Sequence, residues 1–144
     1  DAVAAGEESG GYAFRGNIPE RDGILSGLMF LDLMVKTGKR PSELVAMLAE
    51  KVGEHHYNRL DVTLGPGVSK PDTQALAAKP PERIGGLRVL STETPDGVLY
   101  LLENGFWGLI RPSGTEPLLR IYAEGDSPQR VEEMLADLRI AFGN

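Results

Sequence analysis

The 144-residue chain contains no cysteine, which excludes disulfide staples and thiolate metal sites. It also lacks a long apolar run. The longest, 24–35, is interrupted by Ser26, Gly27 and Asp32 and is too short and too broken to cross a membrane. Basic runs are missing too: 15 Lys and Arg are scattered among 21 Asp and Glu, for a net charge of −6. Nucleic-acid binding leaves a basic footprint, and none is visible. No charged n-region, apolar h-region and cleavage site precede the first structured residues, so the expected setting is cytoplasmic. There is no internal repeat, no low-complexity tract and no initiator Met. The chain opens on Asp1-Ala2-Val3-Ala4-Ala5 and runs straight into Gly6-Glu7-Glu8-Ser9-Gly10-Gly11, as the middle of a domain would, so a C-terminal piece of a longer protein is expected. What is present is a globular composition, 41% hydrophobic, in a length that suits one small domain plus part of another. An acidic chain can still bind an anion where a few cations and backbone N–H groups converge.

Residues 3–5 read as the end of a strand, and 6–23, rich in Gly and charge, as a loop. The 24–37 segment is apolar on nearly every face, which predicts a buried helix with Asp22 as N-cap and Gly38 as stop. Ser42 can cap a second helix with its stripe at Leu44, Val45, Leu48 and Val52, ended by Gly53. From Tyr57 the texture changes. Leu60, Val62 and Leu64 alternate with polar residues as in a half-buried strand. Gly65-Pro66-Gly67 breaks it, and a short helix is expected over 70–78. Four strands follow, at 87–92, 98–103, 106–111 and 118–124. Asp96-Gly97 and Asn104-Gly105 favour the positive φ of tight hairpins, so the first three should be antiparallel neighbours. Ser127-Pro128 starts a last helix with its stripe at Val131, Met134, Leu135, Leu138, Ala141 and Phe142, stopped by Gly143. The expected fold class is α+β: a C-terminal domain, 54–144, with helices on one face of an antiparallel sheet, preceded by the helical remnant of an α/β domain, 1–53.

Two loops carry chemistry. Arg111-Pro112-Ser113-Gly114-Thr115-Glu116-Pro117 lies between two predicted strands, at an edge of the sheet. Arg offers a planar fork that matches phosphate oxygens in pairs. Ser113 and Thr115 add hydroxyl donors, Gly114 lets an anion approach the backbone, and the prolines restrict the loop. Glu116 would repel a dianion, so it must point away or hold Arg111. An ordinary hairpin with an exposed Arg fits these residues equally. In Gly6-Glu7-Glu8-Ser9-Gly10-Gly11, carboxylates and a hydroxyl suit sugar hydroxyls, but a tight turn or a helix start decorated with Glu is the simpler account. His55 and His56 face opposite sides of an extended chain and have no third ligand at metal spacing, which points to surface or structural histidines. Phe106 and Trp107 read as core, and Glu132, Glu133 and Asp137 as a solvated helix face.

Taken together, in this order and about a hundred residues apart, the two loops resemble the α-D-phosphohexomutase superfamily of phosphoglucomutases, phosphomannomutases and phosphoglucosamine mutases. The stretch Phe14-Arg15-Gly16-Asn17-Ile18-Pro19-Glu20-Arg21-Asp22-Gly23 also looks like bacterial members. The resemblance spans essentially the whole chain and implies a fourth domain with a TATA-box-binding-protein-like sheet. It implies that Glu7 and Ser9 bind sugar hydroxyls, and that Arg21 matches a basic position near the substrate. Arg111, Ser113, Gly114 and Thr115 would hold the phosphate that is not reacting, with Arg120 beside them. The implied mechanism passes a phosphoryl group from a phosphoserine to the sugar, turns the bisphosphate around and returns the other phosphate to the serine.

Two motifs of the superfamily are absent: the serine loop Thr-Ala-Ser-His-Asn-Pro and the Mg²⁺ loop Asp-Gly-Asp-Gly-Asp-Arg. The resemblance therefore implies Mg²⁺ and a glucose 1,6-bisphosphate-type activator for the intact enzyme, neither bound here, and no turnover by this stretch alone. Its implied partners are the hexose phosphate and the N-terminal domains of the same protein; separately, the apolar 24–35 helix would need a partner such as a second copy if its original neighbours are missing. Gly11 stands where some phosphomannomutases and phosphoglucosamine mutases carry His, and Glu8 where the glucosamine group tends to carry Gln. Gly11 leans toward a phosphoglucomutase, and Glu8 speaks against the glucosamine group. The alternative is a non-catalytic phosphosugar-binding or interaction module.

Overall fold

The computed structural model describes residues 2–7 and 10–141. The chain divides into two compact units, Asp1–Gly53 and Glu54–Asn144. In the first, strands β1 (Ala4–Gly6) and β2 (Tyr12–Phe14) pair antiparallel, with Gly6 opposite Tyr12. The expectation of a plain loop over 6–23 is therefore corrected. The glycines at both ends of the turn hid a hairpin too short to show alternation, closed by the Glu7 N–H on the Gly11 carbonyl at 2.9 Å.

Helix α1 (Gly23–Thr37) starts where Asp22 accepts the Leu25 N–H and stops at left-handed Gly38. It is fully formed, yet none of its residues is buried, contrary to the expected buried helix. Helix α2 (Pro41–Val52) buries Leu44 and ends at Gly53, while Val45, Leu48 and Val52 are exposed. Its cap is Arg40, not Ser42: Pro41 takes the first helical position, where its fixed φ and missing N–H cost nothing. The Arg40 N–H then donates to Glu43 Oε2 at 2.7 Å.

The second unit contains a six-stranded antiparallel sheet. Its strands are β3 (His56–Thr63), β4 (Arg83–Ile84), β5 (Leu87–Glu93), β6 (Val98–Leu102), β7 (Trp107–Pro112) and β8 (Leu118–Gly125). They lie in the order β3-β8-β7-β6-β5-β4. The two-residue β4 carries too few residues for a periodicity, so no strand is expected there from sequence. Asn104 and Gly105 both adopt positive φ, at 66° and 80°, and turn β6 into β7 as the dipeptide predicts. Helix α3 (Thr73–Ala78) starts at Asp72, whose carboxylate accepts from Gln74 and Ala75. Helix α4 (Pro128–Ala141) begins at Ser127, whose carbonyl accepts the Val131 N–H.

Alternation decides the two faces. Ile110 of β7 and Leu119, Ile121 and Ala123 of β8 point to the core, where they meet Val131, Met134, Leu135 and Leu138 of α4. Helix α4 contacts β3 at one edge and β4 at the other, so the sheet curls around it. Phe106 joins this core, and Trp107 on the other face tilts against Tyr57. Ala141 is exposed, and Phe142 and Gly143 lie outside the described residues. Asp137 is more than a solvated acid: its Oδ2 accepts the Gly85 N–H at 2.7 Å.

Candidate functional site

The 113–117 loop joins β7 to β8, the two strands next to the middle of the sheet. The expectation that it sits at a sheet edge is thereby corrected, since the edge strands are β3 and β4. Its root is held at four points. Ser113 is 6% exposed; its N–H donates to the Leu118 carbonyl at 2.8 Å. Its Oγ accepts the Glu116 N–H at 3.3 Å, which leaves the hydroxyl proton for a ligand. Its carbonyl accepts the Lys70 ammonium. At the far end the Leu64 N–H donates to the Pro117 carbonyl at 2.8 Å. From this root Gly114, Thr115, Glu116 and Pro117 stand out into solvent. A Cβ added to Gly114 would meet no heavy atom within 4 Å, so the loop backbone is open to approach.

Arg111 and Arg120 are directly opposite each other across β7 and β8. Like charges in that position repel, and here each guanidinium has a carboxylate: Arg111 Nε lies 2.8 Å from Asp96 Oδ2, and Arg120 Nη2 3.6 Å from Glu116 Oε2. Arg120 Nε is buried without a hydrogen-bond partner. Glu116 thus points away from Arg111 and serves Arg120, while the residue holding Arg111 comes from another hairpin. Asp96 and Lys70 are the contributors that pattern reading does not find. Asp96 reads as a turn residue, and Lys70 reaches Ser113 across 43 positions of sequence with no local signature.

In the first unit the hairpin brings Glu7 to Arg21, with Nη1 to Oε2 at 2.8 Å. The Arg21 backbone N–H and Nε also donate to Glu20 Oε1, at 2.9 and 3.3 Å. The hydrogen bond to Glu7, then that to Glu20, raises the Arg21 guanidinium's pKa above its ordinary value. Glu20 is held below the usual carboxylate range, first by the Arg21 backbone N–H. Gly11 lies beneath this pair: a Cβ there would come within 2.6 Å of Arg21 Cδ. Beside it is a shallow depression of about 250 Å³ lined by Glu7, Gly11, Ala13 and Arg21. A carboxylate next to a guanidinium offers both an acceptor and donors to a hydroxyl-rich ligand. Ser9 and its neighbour Glu8 lie outside the described residues.

His55 Nδ1 meets Glu124 Oε1 at 2.8 Å, while His56 Nε2 lies 3.6 Å from Glu54 Oε2, so the two histidines face different carboxylates. Among the described residues no three His, Cys, Asp or Glu side chains converge as a metal site requires. None of the described helices is long and apolar enough to cross a membrane.

Two family profiles match the chain. One, described as the phosphoglucomutase/phosphomannomutase C-terminal domain, covers residues 68–141. The other, described as the phosphoglucomutase/phosphomannomutase alpha/beta/alpha domain III, covers 1–52. A phosphoglucomutase/phosphomannomutase of Thermococcus kodakarensis is 31% identical over 94% of this chain and 27% of its own length. A phosphoglucosamine mutase of Methanococcus aeolicus is 35% identical over 94% of this chain and 28% of its own. A third relative, the phosphoglucosamine mutase of Moorella thermoacetica, is 30% identical over 99% and 28%. The chain thus spans little more than a quarter of the length of these relatives.

Proposed function

Because the chain belongs to the phosphoglucomutase/phosphomannomutase family, we propose that it is the substrate-binding C-terminal portion of a phosphohexomutase, interconverting hexose 1-phosphate and hexose 6-phosphate through a phosphoserine and a bisphosphorylated sugar. Unit 54–144 holds the phosphate that is not reacting and unit 1–53 contacts the sugar. The observation that carries this reading is the rooted loop. Arg111 and Arg120 stand opposite each other, buried Ser113 is braced at the root of the loop, and the backbone at Gly114 is open. Arg111 supplies planar paired donors, Thr115 and Ser113 hydroxyl donors, and Gly114 its N–H. Glu7, Ser9 and Arg21 take the sugar hydroxyls.

Glucose is the proposed hexose, with mannose as the alternative. Gly11 leans toward glucose, because some mannose and glucosamine enzymes carry His there; a side chain at this position would also shift Arg21, whose Cδ would lie 2.6 Å from the added Cβ. The nucleophilic serine and the Mg²⁺ that polarises its phosphoryl group belong to parts of the intact enzyme beyond this chain. Among the described residues no three His, Cys, Asp or Glu side chains converge as a Mg²⁺ site in this chain would need. A bisphosphate activator, the N-terminal domains and a cytoplasmic setting complete the proposal.

Titration of the chain with glucose 1-phosphate and inorganic phosphate tests it. Arg111→Ala should weaken both ligands by about 10- to 100-fold, the range for losing charge-assisted hydrogen bonds. Glu7→Ala should weaken glucose 1-phosphate alone. Phosphate binding that survives Arg111→Ala removes the site, and interconversion of the two glucose phosphates by the chain alone removes the division of labour. The second reading, a non-catalytic phosphosugar module, rests on the same loop and predicts that no serine loop exists upstream in the full-length sequence.

A further inference from the structure

The turn between β5 and β6 does more than reverse the chain. Asp96 and Gly97 sit against Arg111, and two independent features show it. Asp96 Oδ2 lies 2.8 Å from Arg111 Nε. Gly97 has φ of 107°, and a Cβ there would fall 2.3 Å from the Ile110 carbonyl oxygen and 3.0 Å from Arg111 Cα. Backbone atoms cannot give way at such distances, so this position admits only glycine. The turn is therefore packed down on the β7 backbone, and it delivers the Asp96 carboxylate to one fixed place. That place is the Nε edge of the guanidinium, which leaves the two terminal nitrogens for a ligand.

We propose that Asp96 is a positioning residue for Arg111. It holds the guanidinium in the rotamer that presents its terminal nitrogens to phosphate, and so removes part of the ordering cost when phosphate binds. This rests on the phosphate reading of the 113–117 loop. The need for such a holder follows from Arg120. Directly opposite and of like charge, it repels the Arg111 guanidinium, which is 41% exposed and has room to move. A negative charge near the site also repels a dianion, so two effects compete. Asp96 is 71% exposed, so solvent screens both its repulsion of a dianion and its attraction for Arg111; what favours ordering is that the turn, packed on the β7 backbone at Gly97, keeps the carboxylate 2.8 Å from Nε. The ordering effect therefore dominates, and removing Asp96 weakens binding rather than tightening it.

The test measures inorganic phosphate affinity of the full chain by titration, together with the ¹H–¹⁵N signal of the Arg111 Nε–H, assigned by its loss in Arg111→Ala. Asp96→Ala is expected to weaken phosphate by about 3- to 10-fold, the cost of ordering one long side chain, with Asp96→Glu recovering most of the loss. In an Arg111→Ala background Asp96→Ala should change nothing further, because it acts through that side chain. The Arg111 Nε–H signal should be distinct in the parent chain and averaged in Asp96→Ala. Unchanged or tighter phosphate binding, or an equal loss in the Arg111→Ala background, overturns the proposal. An Arg111 Nε–H signal indifferent to Asp96→Ala overturns it whatever the phosphate does. Phosphate binding unaffected by Arg111→Ala overturns instead the reading of the loop, and the spectrum still decides whether Asp96 holds Arg111.

Discussion

The 113–117 loop grows out of a packed sheet, whereas the 6–11 turn joins two three-residue strands of which no residue is buried. Next to each lies an arginine in contact with a carboxylate, at the same 2.8 Å: Arg111 with Asp96 and Arg21 with Glu7. Beneath Arg111, however, lie Ile110 and Ile121, each fully buried, together with a braced Ser113 and the Lys70 tether. Arg21 and Glu7 are about half exposed, much as Arg111 and Asp96 are, but strands β1 and β2 beside them contribute no buried residue. A binding loop on a rigid scaffold has already lost its conformational freedom, so little is lost again when a ligand orders it. An exposed pair is screened by water and salt and is worth little by itself. The first arrangement suits a fixed anion. The second suits hydroxyl groups, whose contacts can be exchanged for those the pair already makes.

The sharpest way to break this contrast is by truncating one leucine in each unit. Leu138→Ala empties a site with 0% exposure and should cost about 2–5 kcal/mol in urea unfolding. Leu28→Ala, at 59% exposure, should stay within about 0.5 kcal/mol. A loss above about 1 kcal/mol at Leu28 would show that this face of α1 is covered in solution, and the solution mass would say whether by a second copy.

Next in size is Lys70→Met. It leaves the Ser113 carbonyl without its charged donor and should lower stability by about 1 kcal/mol, while weakening inorganic phosphate several-fold. Lys70→Arg should restore both. Phosphate affinity equal to that of the parent chain would mean that the loop keeps its shape without the tether.

The smallest effect is one of pH. The Asp22 carboxyl is held below its ordinary value, first by the Leu25 backbone N–H and then by the Asn17 side chain. A depressed folded value means that the cap's contribution is fully present above the unfolded pKa of about 4. It is lost as the pH falls through the lower folded value. Far-UV circular dichroism should therefore show a loss of helix below about pH 4 that is smaller in Asp22→Asn, which caps α1 without a titrating group. Identical acid profiles would assign the loss to other carboxylates.

Much of this was readable along the chain, because the signals are local. Asp22 caps and Gly38 ends α1 through hydrogen bonds spanning a few residues. Asn104-Gly105 sets its own turn, since the backbone angles it favours match the twist of the flanking strands. The period-two alternation of 118–124 and the helical stripe of 131–138 give each element one apolar face, and burying both faces together yields the α+β class. The donors of Arg111, Ser113, Gly114 and Thr115 were legible for the same reason: they form one short run along the chain. Where the local signal was short or contested, the reading slipped. Two-residue β4 and three-residue β2 carry no usable period, and Pro41 displaced Ser42 as the start of α2.

By itself, then, the sequence determined the longer elements, the Asn104-Gly105 turn, the fold class and the run of donors from Arg111 to Thr115, all of which depend on neighbours within a few positions. Only the tertiary structure decided what surrounds that donor set. Lys70 reaches the Ser113 carbonyl, Asp96 reaches Arg111 and Arg120 faces Arg111 because β-pairing and the curl of the sheet around α4 bring distant segments together. Side-chain contacts across 15 or 43 residues leave no period and no spacing to read. They arise from packing, which the order of residues specifies only through the fold as a whole.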